Sequence, residues 1–168
     1  MITAVLLIAA SLLMIGAFLW VKPSPRDKHL AMLRAQALNE GLKVHTIKLD
    51  DTSEYGRVEA KRLMLAVYCQ PHQFEKNSGM AFTVLRTTGE SGAFLPGYWK
   101  WANHRRAPEA VRAALAEFIE TLPTSYIALE VRMNSVGIVW DERGSPDELP
   151  RLKERLTQLI ELLSVSRT

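Results

Sequence analysis

The chain has 168 residues, with 21 Lys and Arg against 18 Asp and Glu, a formal charge of +3. That excess is too small, and too concentrated between Lys22 and Lys48, for nucleic-acid binding. A lone cysteine, Cys69, excludes a disulfide framework. No internal repeat or low-complexity segment divides the chain.

Ile2–Val21 is an uncharged run of twenty residues. As a helix it would span about 30 Å, the thickness of a bilayer's hydrocarbon core. No Lys or Arg precedes it and no small-x-small cleavage site follows it, so it is expected to be a retained anchor and not a signal peptide. Trp20, Lys22, Arg26 and Lys28 then fall at the membrane interface. The cations lie on the C-terminal flank. The positive-inside rule therefore predicts a single-pass inner-membrane protein, with its N-terminus outside and residues 23–168 forming a cytoplasmic domain behind an anchor over 1–22. The bilayer would be its first partner, through residues 2–21.

Ser24-Pro25-Arg26-Asp27 carries helix-start chemistry, with a serine cap, proline at the first position and an acid three residues on. Leu30, Leu33, Ala37 and Leu38 share one face of a helix over 25–40, closed by Gly41 and Leu42. Leu42–Leu49 sets Val44, Thr46 and Lys48 against Lys43, His45 and Ile47, an edge strand. Asp50–Arg57 is turn-like. Leu63–Cys69 is apolar on both faces, a central strand closed by Pro71. A third strand is expected over Met80–Thr87, giving an antiparallel meander.

Gly89–Lys100 is an irregular glycine-rich segment. It leads into the mixture of aromatic and basic residues that is the candidate partner contact: Phe94, Tyr98, Trp99, Trp101, His104, Arg105 and Arg106. Rings mixed with cations suit a protein partner, a headgroup or a base. The plainer reading is that the rings plug the end of a sheet and the cations are solvated.

Pro108 opens a second helix, with Val111, Leu115, Phe118, Ile119 and Leu122 on one stripe and Pro123 after it. Tyr126–Arg132 predicts a strand with Ile127, Leu129 and Val131 inward and Ala128, Glu130 and Arg132 outward. Asn134-Ser135 marks a turn, and Val136–Trp140 returns. Ser145-Pro146-Asp147-Glu148 repeats the helix-start chemistry, and leucines from Leu149 to Leu163 line the last helix. Pro150 is awkward early in that helix. The expected fold is α+β: a transmembrane helix, then one antiparallel sheet with helices on one face, in the order α-β-β-β-α-β-β-α.

Chemistry is sparse. Cys69 and His72 make half of a metal site, and no second pair completes it. A cysteine nucleophile needs a base and an oxyanion site, and burial in a strand would raise its pKa. Asp50 and Asp51 are neighbours and point apart in a strand. Gly89–Gly97 lacks the Gly-Lys-Ser/Thr ending of a phosphate loop. No catalytic residue, cofactor or metal is expected.

The segments Trp20–Arg26, Leu33-Arg34 with Gly41-Leu42-Lys43-Val44, and Leu95-Pro96-Gly97-Tyr98-Trp99-Lys100-Trp101 resemble a group of proteobacterial single-pass proteins, some of them labelled YajC-like preprotein translocase subunits. The resemblance implies location more than chemistry. The function expected is binding of another protein, as an accessory subunit of a membrane complex. A membrane-surface enzyme and an anionic-lipid-binding domain are the alternatives.

Overall fold

The computed structural model describes residues 23–50, 62–89 and 92–165, together with Thr3 and Ser11. Three helices, α1 (Pro25–Asn39), α2 (Glu109–Glu120) and α3 (Leu149–Val165), accompany six strands. These are β1 (Lys43–Asp50), β2 (Arg62–Pro71), β3 (Phe82–Arg86), β4 (Trp99–Trp101), β5 (Tyr126–Arg132) and β6 (Ser135–Trp140). The chain divides between Met32 and Leu33 into two compact units, and the larger holds the whole sheet.

The helix ends follow their local chemistry. Ser24 Oγ accepts from the Asp27 amide at 3.1 Å while Asp27 accepts from the Ser24 amide at 3.0 Å, a reciprocal capping box. The Ser24 hydroxyl and amide hold the Asp27 carboxyl below its usual value. At the other end Gly41 takes φ 79°. The amides of Leu42 and Gly41 then reach the carbonyls of Ala37 and Leu38 at 2.9 and 3.0 Å, closing a Schellman turn. Ser145 caps a short 3-10 turn over Pro146–Glu148 before α3 begins. That places Pro150 in the first turn of α3, where its missing N–H leaves no bond unmade.

The sheet is antiparallel throughout, in the order β1-β2-β6-β5-β3-β4. The expected meander is corrected: the β5–β6 hairpin inserts between β2 and β3. β2 gains a strand on each edge, and its two apolar faces meet the two core clusters, Tyr68 on one side and Val67 and Cys69 on the other. All three helices share a core with one face of the sheet, built from Leu33, Leu115, Leu156, Tyr68, Ile138 and Trp99 among others. Leu149, Leu152, Leu156, Leu159 and Leu163 of α3 are each at most 1% exposed. Burying one such side chain contributes about 1.5–3 kcal/mol of transfer free energy. Leu38, expected on the buried face of α1, is 61% exposed, because Leu33 and Ala37 fill that contact.

The other face of the sheet carries a second, smaller cluster: Leu49, Val67, Cys69, Leu85, Ala128 and Val139. Ile127 packs with this cluster and not with Leu129 and Val131. A register shift between Tyr126 and Ala128 inserts an extra residue and reverses its side. Glu130, expected to face outward, is only 5% exposed on this second face.

The expected membrane architecture is corrected too. Ile2–Val21, with Trp20, lies outside the described residues apart from Thr3 and Ser11, as do Lys22, residues 51–57 of the expected turn, and 90–91. The first continuously described helix begins at Pro25, where Arg26 and Lys28 stand exposed in its first turn. Among the described residues no helix is long and apolar enough to cross a membrane. The fold is therefore an α+β domain with a six-stranded antiparallel sheet. The described residues thus give no support to the expected spanning helix, or to the inner-membrane location and orientation drawn from it.

Candidate functional site

The aromatic-basic segment is split by the structure. Trp99 and Trp101 belong to β4 and face the helix-side core, Trp99 at 2% exposure. The Arg86 guanidinium lies over the Trp99 ring at 4.8 Å, and Trp101 meets Phe82 edge-on at 5.8 Å. Burial pushes the Arg86 pKa down from its usual value, while its N–H groups donate to the Tyr126 and Pro123 carbonyls at 3.1 and 3.0 Å. These rings plug the end of the sheet, as the plainer reading expected.

Phe94 and Tyr98 do the opposite. They are 66% and 63% exposed, and both sit at positive φ, 63° and 67°. The loop that carries them is tied to β4 from below. The Gly92 amide donates to the Trp99 carbonyl at 2.7 Å, Trp101 Nε1 to the Ala93 carbonyl at 3.0 Å, and the Thr87 amide to the Tyr98 carbonyl at 2.7 Å. A Cβ at Gly92 would come within 3.1 Å of Lys100 Cα, so that glycine serves close approach. Gly97 has open space around it and no positive φ. Arg112 of α2 lies over Phe94 at 5.3 Å, and Arg112, Phe94, Glu109 and Ala113 line a shallow depression.

His104 and Arg106 are exposed. Arg105 belongs elsewhere: it lines an open trough of about 610 Å³ with Thr83, Glu130, Arg132, Asn103 and Asn134. On the same face a polar row crosses four strands. Cys69 Sγ lies 3.6 Å from His45 Nδ1, His45 Nε2 lies 2.7 Å from Glu130 Oε2, and Arg132 Nη2 donates to Glu130 Oε1 at 2.8 Å. Three strand spacings, about 14 Å in a flat sheet, separate β1 from β5. Contact across them needs both long side chains laid along a concave surface. Gly137 pairs with both Cys69 and Glu130, and a Cβ there would stand 2.5 Å from Val67 Cγ1 and 3.1 Å from Cys69 Cβ.

Cys69 thus has an imidazole neighbour, but it is His45 and not His72. His72 stacks edge-on against Phe74 at 4.5 Å and approaches Ser164 Oγ at 3.5 Å. Burial pushes the Cys69 thiol up, and the Glu130 charge adds to the shift. The thiol donates to the Lys43 carbonyl at 3.3 Å. Among the described residues no three His, Cys, Asp or Glu side chains are placed to hold a metal ion.

No protein-family model, curated protein or solved structure matches the chain. None of these comparisons bears on the resemblance to YajC-like translocase subunits.

Proposed function

We propose that this domain binds another protein through the loop that presents Phe94 and Tyr98. The observation that carries the reading is their backbone. Two large aromatic residues are held exposed in the left-handed region, where each costs about 1–3 kcal/mol. A loop selected only to turn would place glycine at these positions, and Gly97 stands directly before Tyr98 without using its freedom. Strain retained at exposed rings fits anchors kept for a partner, since aromatics dominate interface energetics. The partner suited to them offers apolar sockets with an acidic rim facing Arg112. Trp99 and Trp101 support the loop from the core and take no direct part.

The reading is of a binding domain without a reaction of its own. Its one cysteine lies within a strand and is held protonated, a poor nucleophile.

Relief of strain and loss of binding should occur together. Phe94→Gly and Tyr98→Gly are expected to leave thermal stability unchanged or to raise it, by about 1 kcal/mol each at most. Each should abolish recovery of the partner that co-purifies with the intact chain. Variants that stay folded and still recover that partner quantitatively would sink the reading. So would variants that lose stability along with binding.

A further inference from the structure

The trough on the concave face carries a second inference, independent of the aromatic loop. Its polar groups are unequal in what they have left to offer. Glu130, 5% exposed, has one contact on each oxygen, from His45 and from Arg132, which balances part of its charge. Asn103 Oδ1 accepts from the Arg105 amide at 2.9 Å, which leaves the Asn103 amino group as a donor. Arg105 is exposed, with no ion pair among the described residues. Thr83 is 8% exposed, lines the trough, and makes no side-chain hydrogen bond among the described residues. Trp140 Nε1 is the one fully buried, unpartnered side-chain polar atom among the described residues, so the Thr83 hydroxyl is reached from the trough and is free to donate to what enters it.

Around this partly balanced carboxylate stand donors: the Arg105 guanidinium, the Arg132 guanidinium with its N–H groups beyond the one given to Glu130, an amide and a hydroxyl. Such a surface fits an acceptor-rich anion. The Glu130 carboxylate in the floor disfavours a dianion, whose second charge would face it. The lining also includes Met133 and Ala81, which give an organic body something apolar to rest on. The volume lies within the range of small-molecule sites.

We propose that this trough binds a small organic monocarboxylate, its carboxylate held by Arg105 and Arg132 and accepting a hydrogen bond from Thr83. Arg105, expected from the sequence to serve a protein partner beside the aromatic rings, is assigned to this site instead.

Titration of the full chain with hexanoate, hexanol and inorganic phosphate, followed by amide NMR shifts, tests this. Hexanoate should bind saturably and move the amides of Thr83, Glu130 and Arg105. Hexanol and phosphate should bind at least about tenfold more weakly. Arg105→Gln and the isosteric Thr83→Val should each weaken hexanoate about tenfold with the melting temperature retained, while Arg106→Gln leaves affinity unchanged. Hexanoate binding no tighter than hexanol, phosphate binding tighter than hexanoate, or full affinity in both folded variants would each overturn the proposal.

Discussion

Cys69 shows how far a single residue can be read before its neighbours are known. An apolar strand already implied a buried, unreactive thiol, and the residue is 4% exposed. Burial, with the Glu130 charge beside it, pushes the folded thiol above its ordinary value, so ionising it is harder in the fold than in the unfolded chain. Its contribution to stability is complete below about pH 9 and declines as pH rises further, because the unfolded state then loses the proton first. Two consequences are expected. Alkylation at pH 8 should be slow in the native domain and fast after denaturation. The stability of Cys69→Ala should fall less steeply than that of the parent between pH 9 and 10, where the tyrosines contribute equally to both proteins. A thiol that reacts quickly in the native state, or identical slopes, would contradict both the burial and the shift.

At the scale of elements, the sequence specified the pieces better than their order. The capping box at Ser24, the serine cap at Ser145, the Gly41 terminus and the Val111–Leu122 stripe were all legible, because each is set by residues within one or two turns. β4 was not, since three residues around Lys100 carry too little alternation to separate from a loop. Nor was the insertion of β5–β6 beside β2, which depends on contacts far apart in sequence. The candidate sites divided the same way. Composition marked the aromatic segment, but only the backbone distinguishes the strained, exposed Phe94 and Tyr98 from the core Trp99. The His45–Glu130 contact required the strand order. Alternation placed His45 on the correct face, and nothing local pointed it at Glu130. The element that makes this contact geometrically feasible is β6 at Gly137. Gly137→Ala is expected to cost about 2–3 kcal/mol in urea denaturation, as an overpacked site, and to shift the His45 ring resonances. A cost below about 0.5 kcal/mol, the range of neutral surface changes, would mean that the concave face does not need the missing side chain.

Over the larger unit as a whole, one carboxylate joins three parts of the chain. Glu142, just past β6, accepts from the Tyr68 hydroxyl of β2 at 2.7 Å and from Arg34 of α1 at 3.2 Å through each oxygen. It does so at φ 52°, a conformation that glycine would adopt without strain. The two partners are unequal. Arg34 has a side chain 45% exposed, and an ion pair that open contributes about 0.2–1 kcal/mol. Tyr68 is fully buried, edge-on to Trp140 at 5.8 Å, and burial followed by the Glu142 hydrogen bond raises its pKa. Losing the carboxylate would leave that hydroxyl without its acceptor inside the core, at about 1–3 kcal/mol. Glu142→Ala should therefore destabilise chiefly through Tyr68 and not through Arg34. Urea denaturation of a double-mutant cycle separates the two. Tyr68→Phe with Glu142→Ala should show coupling of at least about 1 kcal/mol, whereas Arg34→Gln with Glu142→Ala should show less than half of that. Additivity in the Tyr68 cycle would place the hydroxyl in contact with water, and the clamp would then contribute little to holding α1, β2 and the approach to α3 together.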